Sequence, residues 1–329
     1  MAPWQLIGLS IVLGVVPMLL YAAVLWWIDF WEREPRRLIV AGIVWGAGPS
    51  VLLVLVAQPY FVGALSNSAY YDPSQAARIA TVGITPLVEE SVKAVGVLLL
   101  FAMFRREWDS LLDGIIYGAV VGFGFAAVEN VVFFVRVGRE FPDALGLVVL
   151  LRSVAFGMIH ALYTSLFGLG LAAAYLSGRR RWRIVFPALG FVAAVAAHSL
   201  HNWLTIDALG GVVKSLVADW LGLVWMLVII LLSLRRQSRC IQQSTLEEVT
   251  LGTITPRQAE AATQLAHRVR GGLAAWTAGS ARRSEKRVHE LCGELALAKR
   301  RREKFGPNDR LDREIAALRA ELAGLSRGR

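Results

Sequence analysis

Glu89 and Glu90 stand side by side, with Lys93 following, in the stretch Thr85-Pro86-Leu87-Val88-Glu89-Glu90-Ser91-Val92-Lys93. Residues four apart share a helix face, so Glu89 and Lys93 can pair. Two adjacent carboxylates cannot face the same way: one can point into a site while the other braces it. Pro86 lies just upstream and predicts a kink that frees a carbonyl near the acids. Glu129 follows the glycine- and alanine-rich run Gly122-Phe123-Gly124-Phe125-Ala126-Ala127-Val128. His160 follows Gly157-Met158-Ile159, with Thr164 one turn later, and His198, His201 and Asn202 fall on one side of a further helix. Carboxylate and imidazole ligands from separate helices suit a zinc ion with one position open for water. Such an ion lowers the pKa of that water toward neutrality, and a neighbouring glutamate can accept its proton. Asn202 can donate to the oxyanion formed when a peptide carbonyl is attacked. A proton or ion pathway uses the same residue types, so the residues alone leave hydrolysis and transport both open. A buried ion pair that only fixes helix packing is the plainer account of Glu89 and Lys93.

The elements that must position these groups are membrane spans. The 329 residues are 56% hydrophobic and only 18% charged, with a mean hydropathy of +0.52. The apolar residues come in runs near the roughly 20 needed to cross a bilayer. Spans are expected near 4–28, 38–58, 79–104, 113–135, 145–176, 185–206 and 212–234, an all-α polytopic transmembrane bundle of about seven helices. Ionisable groups inside a span cost at least about 2.5 kcal/mol each by insertion scales and are functional candidates by default. Four expected spans, the third to the sixth, carry the groups above. Counting the rise per residue places Glu89, His160 and His198 near mid-membrane, and Glu129 and Asn202 nearer the outer face, an offset that tilt can absorb. The small residues of the fourth span permit close helix approach and predict Glu129 inside the bundle, away from lipid.

The net charge is +10, but the basic residues cluster between apolar runs and in the last hundred residues. That pattern points to membrane orientation and not to nucleic-acid binding. Arg33, Arg36 and Arg37, then Arg105 and Arg106, Arg179 to Arg181 with Arg183, and Arg235, Arg236 and Arg239 all fall on one side. The expected placement is therefore integral to the plasma (cytoplasmic) membrane, N-terminus outside and tail cytosolic. The first apolar run is too long for a signal-peptide core and lacks a basic start, so it reads as a retained span. Cys240 and Cys292 both fall in the tail and imply neither a disulfide framework nor a cysteine zinc site.

Residues 1–239 are expected to form the membrane core and 240–329 a helical cytosolic tail. In the tail, Thr255-Pro256-Arg257-Gln258 carries the signals of a helix start. Gly306-Pro307-Asn308 breaks a second long helix, and Leu311, Ile315, Leu318 and Leu322 make a narrow apolar stripe. A helical hairpin or a coiled coil is expected, with the stripe available to a partner or a second copy; a solvated, partly ordered tail is the alternative. His267 and His289 are expected at the tail surface.

Taken together, Glu89-Glu90-x-x-Lys93, Phe125-x-x-x-Glu129 and the two later histidine helices resemble the PrsW family of intramembrane proteases. Asp29-Phe30-Trp31-Glu32-Arg33-Glu34-Pro35 looks like that family's acidic loop, and Asp113 to Asn130 like its most characteristic stretch. The resemblance covers roughly residues 10–235. The pattern is also similar to that of the CAAX-prenyl protease and bacteriocin-processing clan, where a double-glutamate helix supplies the water-activating base and His-x-x-x-Asn a later element, matched here by His198 and Asn202. Clan members often carry histidine where this chain has Glu129, which leaves a metal-free glutamate–histidine mechanism open beside a divalent metal, zinc by preference. The resemblance implies cleavage of a membrane-associated protein, in the best-known branch an anti-sigma factor.

The expected assignment is Glu89 or Glu90 as water-activating base with its partner glutamate on Lys93; Glu129, His160 and His198 as metal ligands; and Asn202 at the oxyanion. The alternatives are a proton- or ion-coupled transporter using the same acids, and a silent scaffold. Glu89→Ala, Glu129→Ala or His198→Ala should abolish cleavage of a membrane-anchored reporter while the protein still inserts. Cleavage at the normal rate by any one of them removes that residue from the mechanism.

Overall fold

The computed structural model describes residues 2–29, 34–68, 70–206, 208–263, 280–306 and 308–327, and no strand occurs among them. Phe30–Arg33 of the acidic loop and His267 of the tail lie outside the described residues. The chain divides into two compact units, the first formed by Met1–Trp26 and Glu34–Ile230, the second chiefly by Leu231–Arg329.

Among the described residues, six helices are long and apolar enough to cross a membrane. They are α1 (Pro3–Ile28), α2 (Arg36–Ser66), α4 (Leu111–Glu140), α5 (Pro142–Ser177), α6 (Trp182–Thr205) and α7 (Ala208–Thr250). Between α2 and α4 runs α3, residues 73–104, whose main part is Thr85–Phe104. It occupies the expected third span, and Glu89, Glu90 and Lys93 are what keep it out of the apolar count. The integral-membrane helix bundle read from hydropathy is the architecture found, with six clearly apolar spans and this charged one.

Helix α4 is the axis of the first unit. Its most apolar stretch is 89% buried, against at most 44% in the other apolar spans. It starts where Ser110 and Asp113 cap each other's backbone: Ser110 Oγ accepts from the Leu112 and Asp113 amides, and Asp113 Oδ2 accepts from those of Asp109 and Ser110 at 2.7 Å. A glycine row then lets α5 come down onto it. A Cβ at Gly122 would strike the His160 carbonyl, and one at Gly118 the Thr164 carbonyl. The backbone of α5 is therefore held against α4 along the turns that carry His160 and Thr164.

Three spans contain a single widened π-turn: Gly46–Ser50 in α2, Ala80–Ile84 in α3 and Leu151–Ala155 in α5. The first contains Pro49 and the second is followed closely by Pro86. Proline has no amide proton to donate to the preceding turn, so the ladder slips by one residue there. The kink expected at Pro86 takes this form, and it lies one turn before Glu89. Near the other end of the spans, Trp108 stacks on Tyr117 with ring centroids 5.1 Å apart and Phe101 meets Trp108 and Tyr175 edge-on. The Tyr117 hydroxyl donates to Glu34.

In the second unit, the far part of α7 is followed by α8 (Pro256–Thr263), α9 (Ser280–Phe305) and α10 (Asp309–Ser326). Thr255 and Gln258 form the expected cap, each binding the other's backbone amide. Gly306 takes a φ of +83° between α9 and α10, a left-handed conformation that favours glycine. Glu248 is buried and held by Lys299 and Arg319, each at 2.6 Å. Ile315 and Leu322 of the apolar stripe are buried inside this unit, and so is His289, which corrects its expected place at the surface. The error comes from reading a charge-rich helix as solvated; between Val288 and Ala298 every residue of α9 except Glu290 and Glu294 is buried, His289 among them.

The α4–α5 approach leaves no space for a branched side chain. Gly122→Val should destabilise the purified protein by about 1–3 kcal/mol through overpacking against the His160 turn, read as a fall in thermal midpoint in detergent. An unchanged midpoint would mean that the two helices are not in contact there.

Candidate active site

Helix α3 brings Glu89, Glu90 and Lys93 to the face it turns toward α5 and α6. Lys93 is fully buried, and its ammonium lies 2.8 Å from Glu90 Oε1, 3.2 Å from Glu89 Oε2 and 3.1 Å from His160 Nδ1. Three protons meet three acceptors, with the Phe125 ring 4.0 Å from the nitrogen as a further contact. Lysine can only donate, so His160 Nδ1 accepts, and the opposite nitrogen, Nε2, donates to Glu129 Oε2 at 2.9 Å.

The two glutamates are not equivalent. Glu90 takes bonds from Lys93, from His198 Nδ1 at 3.0 Å and from the Thr164 hydroxyl at 3.3 Å. A carboxylate only accepts, so His198 carries its proton on Nδ1 and keeps the lone pair of Nε2. Glu89, by contrast, has Lys93 as its described partner. Lys93 thus bonds both glutamates, and Glu90 has the larger set of described partners. Glu89, His160 and His198, all buried, each offer one ligand atom within 4.8 Å of the others.

Glu129 stands apart from that trio while touching it. Its Oε2 is shared between His160 and the guanidinium of Arg152, 2.7 Å away. Arg152 sits on the π-turn of α5, bonds Asn130 Oδ1 at 2.9 Å and lies over Phe133. The side chains of Glu129 and Arg152 keep 31% and 25% exposure, where those of Glu89, Glu90, Lys93, His160 and His198 keep less than 10%. Glu129 is thus less enclosed than the trio it touches. Asn202, one turn beyond His198, donates to the Thr81 carbonyl at 2.9 Å, within the π-turn of α3. His201 turns away from the trio toward Asp219 and Ser215 of α7.

Two charged residues escaped the sequence reading, Arg152 and Asp219. Both lie inside expected spans, where the rule applied to the glutamates would have found them; the fifth span was read for its histidine and the seventh for its apolarity. Aromatic rings complete the frame. Tyr163 stacks on His198 with centroids 5.1 Å apart, Phe125 packs on His160 at 5.5 Å, and the two imidazoles meet edge to face at 5.3 Å.

The donor set suits a divalent cation. One carboxylate and two imidazoles are a set that zinc accepts, and Glu90 stands on His198 where an outer carboxylate would orient such a ligand. For a cation to reach His160, either Lys93 at Nδ1 or Glu129 at Nε2 gives way.

The family model described as PrsW family intramembrane metalloprotease matches residues 34–233, well over half of the chain. Protease PrsW of Geobacillus kaustophilus is 25% identical over 193 residues, 59% of this chain and 78% of that protein. Protease PrsW of Clostridioides difficile is 23% identical over 195 residues, covering 58% and 77%. That of Halalkalibacterium halodurans is 32% identical over 107 residues, covering 32% and 45%. No solved structure matches the chain.

If Arg152 holds Glu129 in place, Arg152→Gln should cut cleavage of a reporter about tenfold, which corresponds to about 1.4 kcal/mol of barrier. Arg152→Lys, a point charge without the planar fork, should recover only part of it. Equal rates in all three proteins would show that the guanidinium contributes nothing to the site.

Proposed function

Because the chain belongs to the PrsW family of intramembrane metalloproteases, we propose that its peptide hydrolysis is run by Glu89, His160 and His198 as cation ligands and by Glu129 as the proton-accepting carboxylate. Family membership makes the chain a membrane-embedded peptidase and leaves the transporter alternative without support. The observation that carries the assignment is the buried convergence of the three ligand atoms within 4.8 Å. It exchanges the parts expected of Glu89 and Glu129 from sequence, because Glu89 lies in the enclosed trio and Glu129 at its rim.

Glu89, His160 and His198 would hold a divalent ion, zinc by the chemistry of the set, which would polarise the scissile carbonyl and bring the pKa of water toward neutrality. The protein's own groups do the rest. Glu129 takes the proton of the attacking water at Oε1, since Oε2 is already engaged by Arg152 and His160. The same oxygen then delivers that proton to the leaving amine. Glu90 keeps the His198 ring in the tautomer with Nε2 unprotonated. Lys93 stays with Glu90 and balances its charge in a site where water cannot. Asn202 is the side-chain amide nearest this chemistry on α6, and its amide protons serve the oxyanion once released from the Thr81 carbonyl.

The substrate is a protein segment at or in the bilayer, an anti-sigma factor being the instance implied by the family resemblance. The basic loops support a plasma-membrane location with the N-terminus outside and residues 240–329 as a cytosolic tail beyond the core of residues 1–239. The tail's packed helices leave a contact with a partner or a second copy as a separate role.

The test is elemental analysis of detergent-purified protein alongside a cleavage assay. Wild type should hold about one zinc per chain. Glu89→Gln and the His160→Ala, His198→Ala pair should lose it. Glu129→Gln should keep the metal and lose about 10²–10⁴-fold in rate, the worth of a general base. Metal lost from Glu129→Gln and kept by Glu89→Gln would restore the assignment expected from sequence. No metal in wild type, with purification shown not to strip it, would leave a metal-free glutamate–histidine peptidase.

A further inference from the structure

Asp219 lies in the apolar stretch of α7 and is buried there. A carboxylate in that position persists only where its acceptor oxygens are occupied, and these are. Oδ1 accepts the Tyr163 hydroxyl at 2.9 Å. Oδ2 lies 2.7 Å from His201 Nδ1 and takes the Ser215 hydroxyl at 3.1 Å. The two long-range partners are not arbitrary. Tyr163 is three residues beyond His160 on α5, and His201 is three residues beyond His198 on α6, so each sits one turn from a ligand imidazole. The Tyr163 ring also lies against both imidazoles, stacked on His198 at 21° and edge-on to His160 with centroids 6.2 Å apart.

We propose that Asp219 is a positioning residue for the active site. By gripping Tyr163 and His201 at once, it sets the distance between α5 and α6 and the tilt of the Tyr163 ring, and so aims His160 and His198 at one cation. This rests on the ligand assignment made above. Asp219 occupies the place that an outer carboxylate takes beside a metal-binding histidine, displaced by one turn and acting through an aromatic plate. Glu90 fixes the His198 ring at its Nδ1 edge, and the Tyr163 plate fixes its face.

The trio Ser215, His201 and Asp219 is not a serine-nucleophile site. A relay needs the hydroxyl and the carboxylate on opposite ring nitrogens. Here Ser215 Oγ, at 2.8 Å, and Asp219 both lie on Nδ1. The arrangement is a clamp between α6 and α7.

The test uses the full chain in detergent and reads the zinc dissociation constant by chelator competition, kcat and KM on a reporter peptide, and the thermal midpoint. Asp219→Ala should weaken zinc by about ten- to a hundredfold and lower kcat with KM little changed. Tyr163→Phe keeps the plate and loses its anchor, and should weaken zinc by about three- to tenfold. Asp219→Asn keeps the volume and one acceptor for Tyr163 and should fall in the same range; it decides the question if the alanine variant does not fold. Ser215→Ala should retain cleavage, and its loss with zinc binding intact would overturn the clamp in favour of a nucleophile. A lower thermal midpoint with wild-type zinc affinity and kcat in the Asp219 variants would reduce the residue to helix packing and overturn the proposal. Wild type that binds no zinc would sink the ligand assignment instead; a lowered kcat in Asp219→Asn would then still support positioning, and an unchanged kcat would overturn it.

Discussion

Three carboxylates in a bilayer need cations, and Lys93 is the one around which this site is arranged. An ammonium without water must find an acceptor for each proton, and Lys93 finds them on Glu89, Glu90 and His160. Those contacts orient both glutamates and decide the tautomer of His160. Glu90, once on Lys93, decides the tautomer of His198. A single buried charge thus propagates order to groups on α3, α5 and α6. Replacing such a pair by apolar residues is often neutral for stability, so its presence in the middle of a hydrophobic bundle points to chemistry.

The small residues of α4 are the second half of that arrangement. Ligands on separate helices converge only if the backbones come close, and the row Gly114, Gly118, Gly122 lets α5 rest its own backbone against α4. The lost side-chain volume carries no hydrophobic penalty in a membrane, where lipid is as apolar as leucine. With α5 seated, the rise and turn of the helix place His160 beside Lys93.

Much of this was legible in the residues. Charged groups in apolar runs named Glu89, Glu90, Lys93 and Glu129, and helical spacing put Glu89 and Lys93 on one face. The division of labour between Glu89 and Glu90 was not legible, because it depends on His198, more than a hundred residues away, and no periodicity encodes which helices touch. Arg152 and Asp219 were readable in principle and lost in practice: one arginine and one aspartate, each alone in a long apolar run, look incidental until Glu129 and Tyr163 are seen to hold them. The π-turns are the deeper difficulty. Each inserts one residue and rotates everything beyond it by about 100°, so faces counted across Ala80–Ile84 or Leu151–Ala155 from sequence alone are assigned wrongly.

The exposure gradient in the site bears on how a substrate is met. A spanning peptide has every amide and carbonyl bonded within its own helix, so no carbonyl is available for attack until a turn is unwound. An unwound turn in hydrocarbon is costly, whereas at a polar rim it finds new partners. Glu129 and Arg152 form such a rim, a quarter to a third exposed beside ligands that are almost fully enclosed. On the α6 side, Asn202 bonds a carbonyl of a π-turn, an interaction that a substrate carbonyl can replace. On the proposed assignment, the proton-accepting carboxylate, a guanidinium and an amide would therefore face the place where an unwound strand needs donors. In that arrangement the deep charges would hold the geometry, and the rim would meet the substrate.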